Sequence, residues 1–154
     1  MRGQSSLEYV FIIGLALIVL ASITLARMVN PASESSGDVM RVSQARSACD
    51  AIADAVNGVY GNALGATRTA WVYLSDTWDL RITKNPAKLR LSVTVSYGVE
   101  NVDDNLMYAF DNSLLGIPAG NYAVIVDWPG SIDGITRTDN NIYIHINPPT
   151  GGKK

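Results

Sequence analysis

Residues 3–26 read GQSSLEYVFIIGLALIVLASITLA, an apolar run with one carboxylate, Glu8, at its edge. From Tyr9 to Ala26 no residue is charged, and Ser22 and Thr24 are the only aliphatic hydroxyls. As a helix rising about 1.5 Å per residue, this run would measure about 27 Å, just enough for a hydrocarbon core. Arg2 precedes it, which predicts a cytoplasmic N-terminus and an outward-facing remainder. A cleaved secretory signal is the competing reading, with Thr24-Leu25-Ala26 as a small-x-small cleavage site. Three features disfavour it: the length of the run, an acid where such signals want basic residues, and a helical rhythm that continues beyond Ala26.

That rhythm lies beyond Pro31. Val42, Ala45, Cys49, Ile52, Val56, Val59 and Ala63 are spaced alternately by three and four residues, the period of a heptad seam. Arg41, Gln44, Ser47, Asp50, Asp54 and Asn57 occupy the opposite face, and Ala48, Ala51, Ala53 and Ala55 keep the flank thin. Gly58, Gly61 and Gly65 weaken and end the segment. Pro31 and Gly37 predict a bend between the two helical parts. About half of the seam is expected to pack on the chain's own globular part. Cys49 lies on it and reads as a small buried apolar residue rather than a reactive thiol.

After about Ala66 the period changes from helix to strand. KLRLSVTVSY, residues 88–97, alternates Leu89, Leu91, Val93, Val95 and Tyr97 with polar residues, as a sheet with one wet face requires. Residues 70–74, 80–83, 106–110, 122–128, 135–138 and 141–146 read as further strands, and Ile117-Pro118-Ala119-Gly120, Trp128-Pro129-Gly130, Asp133-Gly134 and Asp139-Asn140 as turns. Short connections without crossover helices predict antiparallel pairing. The expected fold is α+β: a long N-terminal hydrophobic helix, kinked near Pro31, then a small antiparallel β-sheet head packed on the C-terminal half of the helix.

The chemistry-bearing residues are few. Among 154 residues with a net charge of −2, Cys49 is the single cysteine and His145 the single histidine, which excludes an intrachain disulfide or a Cys/His zinc site. The 12 Lys and Arg are scattered, so no nucleic-acid partner is expected. His145, in NIYIHIN, falls on the wet face of a strand with no nucleophile motif beside it. Asp103-Asp104-Asn105, Asp111-Asn112 and Asp139-Asn140-Asn141 lack EF-hand spacing and read as turn formers. Phosphate loops and dinucleotide fingerprints are missing. No catalytic, cofactor or metal residue is expected, and the chain does not read as an enzyme.

Gly3-Gln4-Ser5-Ser6-Leu7-Glu8-Tyr9 resembles the class III signal peptide of archaeal type IV pilins, a cut before Gln followed by x-S-x-E-Y and an apolar helix. The resemblance covers about the first 26 residues. It implies a prepilin with leader 1–3, cleaved between Gly3 and Gln4 by a membrane-embedded prepilin peptidase on the cytoplasmic side. It further implies a long helix over 4–65, with 9–26 as membrane segment and then filament core, and a β-rich head over 66–154. Glu8, Tyr9, Phe11, Ile12, Leu15, Ile18 and Val19 become the assembly residues, with Val42, Cys49, Ile52, Val56 and Val59 as the helix seam. The implied partners are identical subunits in a helical filament, the membrane before assembly, an assembly ATPase and a polytopic platform protein. The expected function is a structural subunit of an extracellular adhesive filament. The alternative is a single-span, membrane-anchored extracytoplasmic binding protein that never polymerises.

Overall fold

The computed structural model describes the backbone of residues 4–148 and the side chains of 8–24 and 35–148. A helix, α1 (Gln4–Asn62), is followed by eight strands: β1 (Thr67–Leu74), β2 (Trp78–Thr83), β3 (Lys88–Val95), β4 (Gly98–Asn105), β5 (Asn112–Ile117), β6 (Gly120–Asp127), β7 (Gly134–Thr138) and β8 (Asn141–His145). Two compact units result, Met1–Gly37 and Asp38–Lys154.

The second unit contains two four-stranded sheets, ordered β1-β6-β8-β7 and β4-β3-β2-β5. The alternation of β3 holds throughout: Leu89, Leu91, Val93 and Val95 are buried, while Arg90 and Thr94 are exposed. Between the free edges of β1 and β4 lies the C-terminal part of α1. On one flank, Gln44 Oε1 accepts from Ser75 N at 3.1 Å, and Arg68, on β1, donates to Asp54 O at 3.3 Å. On the other flank, Arg46 donates to Asp103 O at 3.3 Å, and Asn57 Nδ2 donates to Asn105 O at 3.2 Å, both on β4. Between these flanks Ala45, Cys49, Ile52 and Val56 have no exposed surface and Val59 is at 1%, so the seam forms one wall of the core. On the β4 side this takes up two edge-strand carbonyls, Asp103 O and Asn105 O.

Asp38 fastens the start of this unit. It is the one buried charged residue among those described. Its carboxylate accepts from Ser96 N at 3.1 and 3.2 Å, from the Ser96 hydroxyl, and from Arg41 at 3.1 Å, tying α1 to the β3–β4 turn. The Ser96 hydroxyl, aided by its backbone N–H and by Arg41, holds the Asp38 carboxyl below the ordinary carboxylate range against the opposing effect of burial. A lowered folded-state pKa gives stability that is present above the unfolded value, about 3.9, and is lost as pH falls through the folded one. Thermal melts of the wild type should therefore weaken below about pH 4, and Asp38→Asn should be less stable at pH 7 with a flatter acid limb. An unchanged acid limb would assign the acid sensitivity to other carboxylates, with Asp103 the first to test. Its carboxyl is also lowered, by the Arg90 hydrogen bonds.

The α+β composition agrees with expectation, but the architecture differs from it in several respects. Among the described residues no helix is long and apolar enough to cross a membrane, so the long apolar spanning helix is not borne out. Of the expected span Tyr9–Ala26, the side chains are described as far as Thr24, a stretch of about 24 Å of helix against a core of about 30 Å. The side chains around Pro31, where the kink is expected, lie outside those described. Val42 is half-buried, and Ala63 lies beyond α1 with a φ of 151°, so the seam closes at Val59.

The single antiparallel sheet is replaced by two sheets, one of them mixed. β8 inserts between β6 and β7, running parallel to β6 and antiparallel to β7. A hairpin partner usually adds at the outside of its neighbour, but here β7 takes the outer place first. The two-residue turn Asp139-Asn140, with Asp139 at φ 53°, then returns β8 into the gap. Residues 106–110, read as a strand, instead form an irregular crossing whose Leu106, Ala109 and Phe110 are buried.

Candidate functional site

In the first unit, the described helix carries apolar side chains that nothing covers. Tyr9, Phe11, Ile12, Leu15 and Ile18 are 65–73% exposed, and Val19 is 52% exposed. Successive helical residues point about 100° apart, so the consecutive Val10, Phe11, Ile12 and Ile13, all exposed, between them face every direction. The hydroxyls do not interrupt this surface: Ser22 Oγ donates to Ile18 O at 2.8 Å and Thr24 Oγ1 to Leu20 O at 2.7 Å. Their polarity is thus spent inside the helix. At Gly14 an added Cβ would meet nothing within 4 Å.

The exposed apolar area is on the order of a thousand Å², well above the roughly 300–600 Å² of the largest patch on a typical monomer. It also exceeds the roughly 800 Å² each partner gives to a standard interface. A single partner helix covers one side of a cylinder, whereas this surface is apolar on all sides. Glu8 is exposed at its N-terminal border. Gly3 and the side chain of Gln4 lie outside the described residues.

The remaining sequence candidates fall elsewhere, and the structure does not bring them together. Cys49, Ile52, Val56 and Val59 line the head's own core. The Cys49 thiol lies 3.6 Å from Val102 O and 3.9 Å from Leu89 O; burial, reinforced by the nearby Asp104 and Asp50 charges, pushes it up to about 12. It is therefore protonated and unreactive near neutrality.

Asp103 and Asp104 are on β4 rather than in a loop. Asp103 accepts bidentate bonds of 2.7 and 2.8 Å from Arg90. Asp111 receives the Lys84 backbone N–H at 3.0 Å, and Asp139 sits in the β7–β8 turn. Among the described residues no cluster of three or more His, Cys, Asp and Glu side chains has the arrangement of a metal site.

Two arrangements escaped the sequence reading. His145 Nδ1 meets Asp127 Oδ1 at 2.5 Å, and the Tyr143 ring stacks on the imidazole at 6.3 Å. The pair depends on the parallel register of β6 and β8, which places Asp127 opposite His145. Near the end of α1, Tyr60 stacks on both Tyr108 (5.7 Å) and Trp128 (6.2 Å). The Tyr108 hydroxyl donates to Asp133 at 2.8 Å, and burial, with that carboxylate, raises it to about 12. Three aromatic residues distributed over 68 positions give no local pattern from which the stack could be foreseen.

No protein-family model, curated protein or solved structure matches the chain.

Proposed function

We propose that this chain is a pilin, the structural subunit of an archaeal type IV pilus-like extracellular filament, with no catalytic role. The observation that carries the reading is the helix surface over Tyr9–Ile23, whose large apolar side chains are exposed on all sides. Side-by-side packing of many copies satisfies such a surface, because each helix then has neighbours on all sides. The Q-x-S-x-E-Y motif ahead of it supports the same reading. In this account a prepilin peptidase cuts between Gly3 and Gln4, and the precursor is held at the membrane with its leader cytoplasmic. An assembly ATPase and its platform protein then feed subunits into the filament. The β-rich heads form the outer surface and serve adhesion.

Two measurements test this. N-terminal mass spectrometry of the mature protein should find Gln4 as the first residue, with the whole apolar segment retained. A chain beginning at Arg27 would establish the secretory-signal reading. Shearing cells and imaging the released fraction should yield thin filaments containing this chain. A chain that remains with washed membranes and gives no filaments would overturn the proposal in favour of an unpolymerised anchored protein.

A further inference from the structure

β1 turns Ala70, Val72 and Leu74 into the core and leaves Thr69, Trp71 and Tyr73 outside. Trp71, 78% exposed, is the most exposed large apolar side chain among those described. The register of the sheet sets Ala123 beside it on β6, then Asn141 on β8, then Thr138 on β7. An indole ring is thus followed across the sheet by a small side chain, an amide and a hydroxyl. With strands about 4.8 Å apart, Asn141 lies about 10 Å from Trp71, on the scale of a sugar ring or two.

Trp71 and Tyr73 also border a groove of about 240 Å³ between β1 and α1, closed on the helix side by Gln44, Ser47 and Ala48. Gln44 Oε1 is occupied by Ser75 N and Oγ at 3.1 and 2.8 Å, which leaves the amide nitrogen of Gln44 as its remaining donor. None of the residues lining the groove carries a formal charge. On the same sheet face, the Asp127 carboxylate and the His145 ring are closed on each other.

We propose that this face, centred on Trp71, binds a neutral glycan: the sugar's C–H face stacks on the indole while its hydroxyls meet the amides and hydroxyls around it. The inference deepens, and rests on, the adhesive role proposed above. Charge and area select the ligand class. Nucleic acid or an acidic polysaccharide needs cations, and the groove has none. Trp71 and Tyr73 together expose about 300 Å² of aromatic surface, an ordinary patch and well short of the roughly 800 Å² a stable protein partner would cover. Neutral, aromatic and amide-rich is the combination that a polyhydroxylated ring requires.

The test uses the purified full chain in detergent, so binding does not depend on polymerisation. Trp78 and Trp128 are buried, so acrylamide quenching and wavelength shifts of the tryptophan emission report chiefly on Trp71. Cellohexaose, maltohexaose and chitohexaose are titrated separately, with heparin as the anionic comparison. At least one neutral oligosaccharide should give a saturable blue shift and protection from quenching. Trp71→Ala should weaken binding about tenfold or more, read by calorimetry, with an unchanged circular dichroism spectrum, and Trp71→Phe should recover part of the affinity.

Saturation by none of the three sugars, or by heparin alone, overturns the inference. A shift that follows protein concentration instead of sugar also overturns it and makes the face a contact between copies. The two proposals fail separately. Sugar binding by a chain that never forms filaments refutes the pilin reading, whereas filaments indifferent to all three sugars refute this one.

Discussion

Glu8→Gln should be processed and folded normally yet give few or no filaments. Glu8 is exposed at the border of a helix surface that is apolar on all sides. In the proposed filament other copies would cover that surface and take the Glu8 carboxylate out of water, and an uncompensated buried charge costs several kcal/mol. In the proposed pilin, cleavage before Gln4 would create the natural partner, a free α-amine about one helical turn away in sequence. An α-amine of ordinary pKa, about 7.7 to 8.0, is mostly cationic at neutral pH and can pair with Glu8 of its own or a neighbouring copy. The competing account makes Glu8 a favourable anion near a helix N-terminus, worth about 0.3 to 1 kcal/mol, and then Glu8→Gln assembles almost normally.

Filament yield in the sheared fraction, normalised to mature protein by mass spectrometry, separates the two. Mass spectrometry also detects a chemical escape, since an N-terminal Gln can cyclise to pyroglutamate and lose the amine charge. Fully cyclised subunits in normal filaments would eliminate the ion pair.

How much was legible in the sequence follows from what each feature depends on. The seam and the alternation of residues 88–95 are local periodicities: the strand stands where its period placed it and the seam does so from Ala45 to Val59, whereas the apolar run does not give a membrane-spanning helix. β4 and β5 were missed because edge strands need little apolar patterning. In GVENVDDN only Val102 is buried, and in NSLLGI only Ile117. The parallel β6–β8 pair was missed because strand order is set by which gap remains open, a property of the assembled sheet. Asp38, the Asp127–His145 pair and the Tyr60–Tyr108–Trp128 stack share that dependence, as each joins residues at least 18 positions apart. The candidate assembly surface, in contrast, was readable from one continuous stretch, because its defining property is an unbroken apolar composition.

Ile52→Ala should destabilise the head by about 2–5 kcal/mol, a loss of roughly 10 °C or more in melting temperature. Ile52 has no exposed surface and sits mid-seam, where α1 closes the gap between the edges of β1 and β4. Truncation removes its transfer free energy and leaves a cavity, because an interior clamped by hydrogen bonds on both flanks of the helix can collapse only in part. Ser47→Ala, on the exposed side of the same helix, should shift stability by no more than about 0.5 kcal/mol.

Leu15→Ala and Ile18→Ala supply the converse: both side chains are exposed, so the melt should not move while filament yield falls. Near-UV circular dichroism of the full chain in detergent, set against filament counts, reads both effects, since Trp78 and Trp128 are buried reporters of head packing. If Ile52→Ala left the melt in place and reduced filaments instead, the seam would belong to contacts between copies. The division between a head-packing half and an assembly half of α1 would then be wrong.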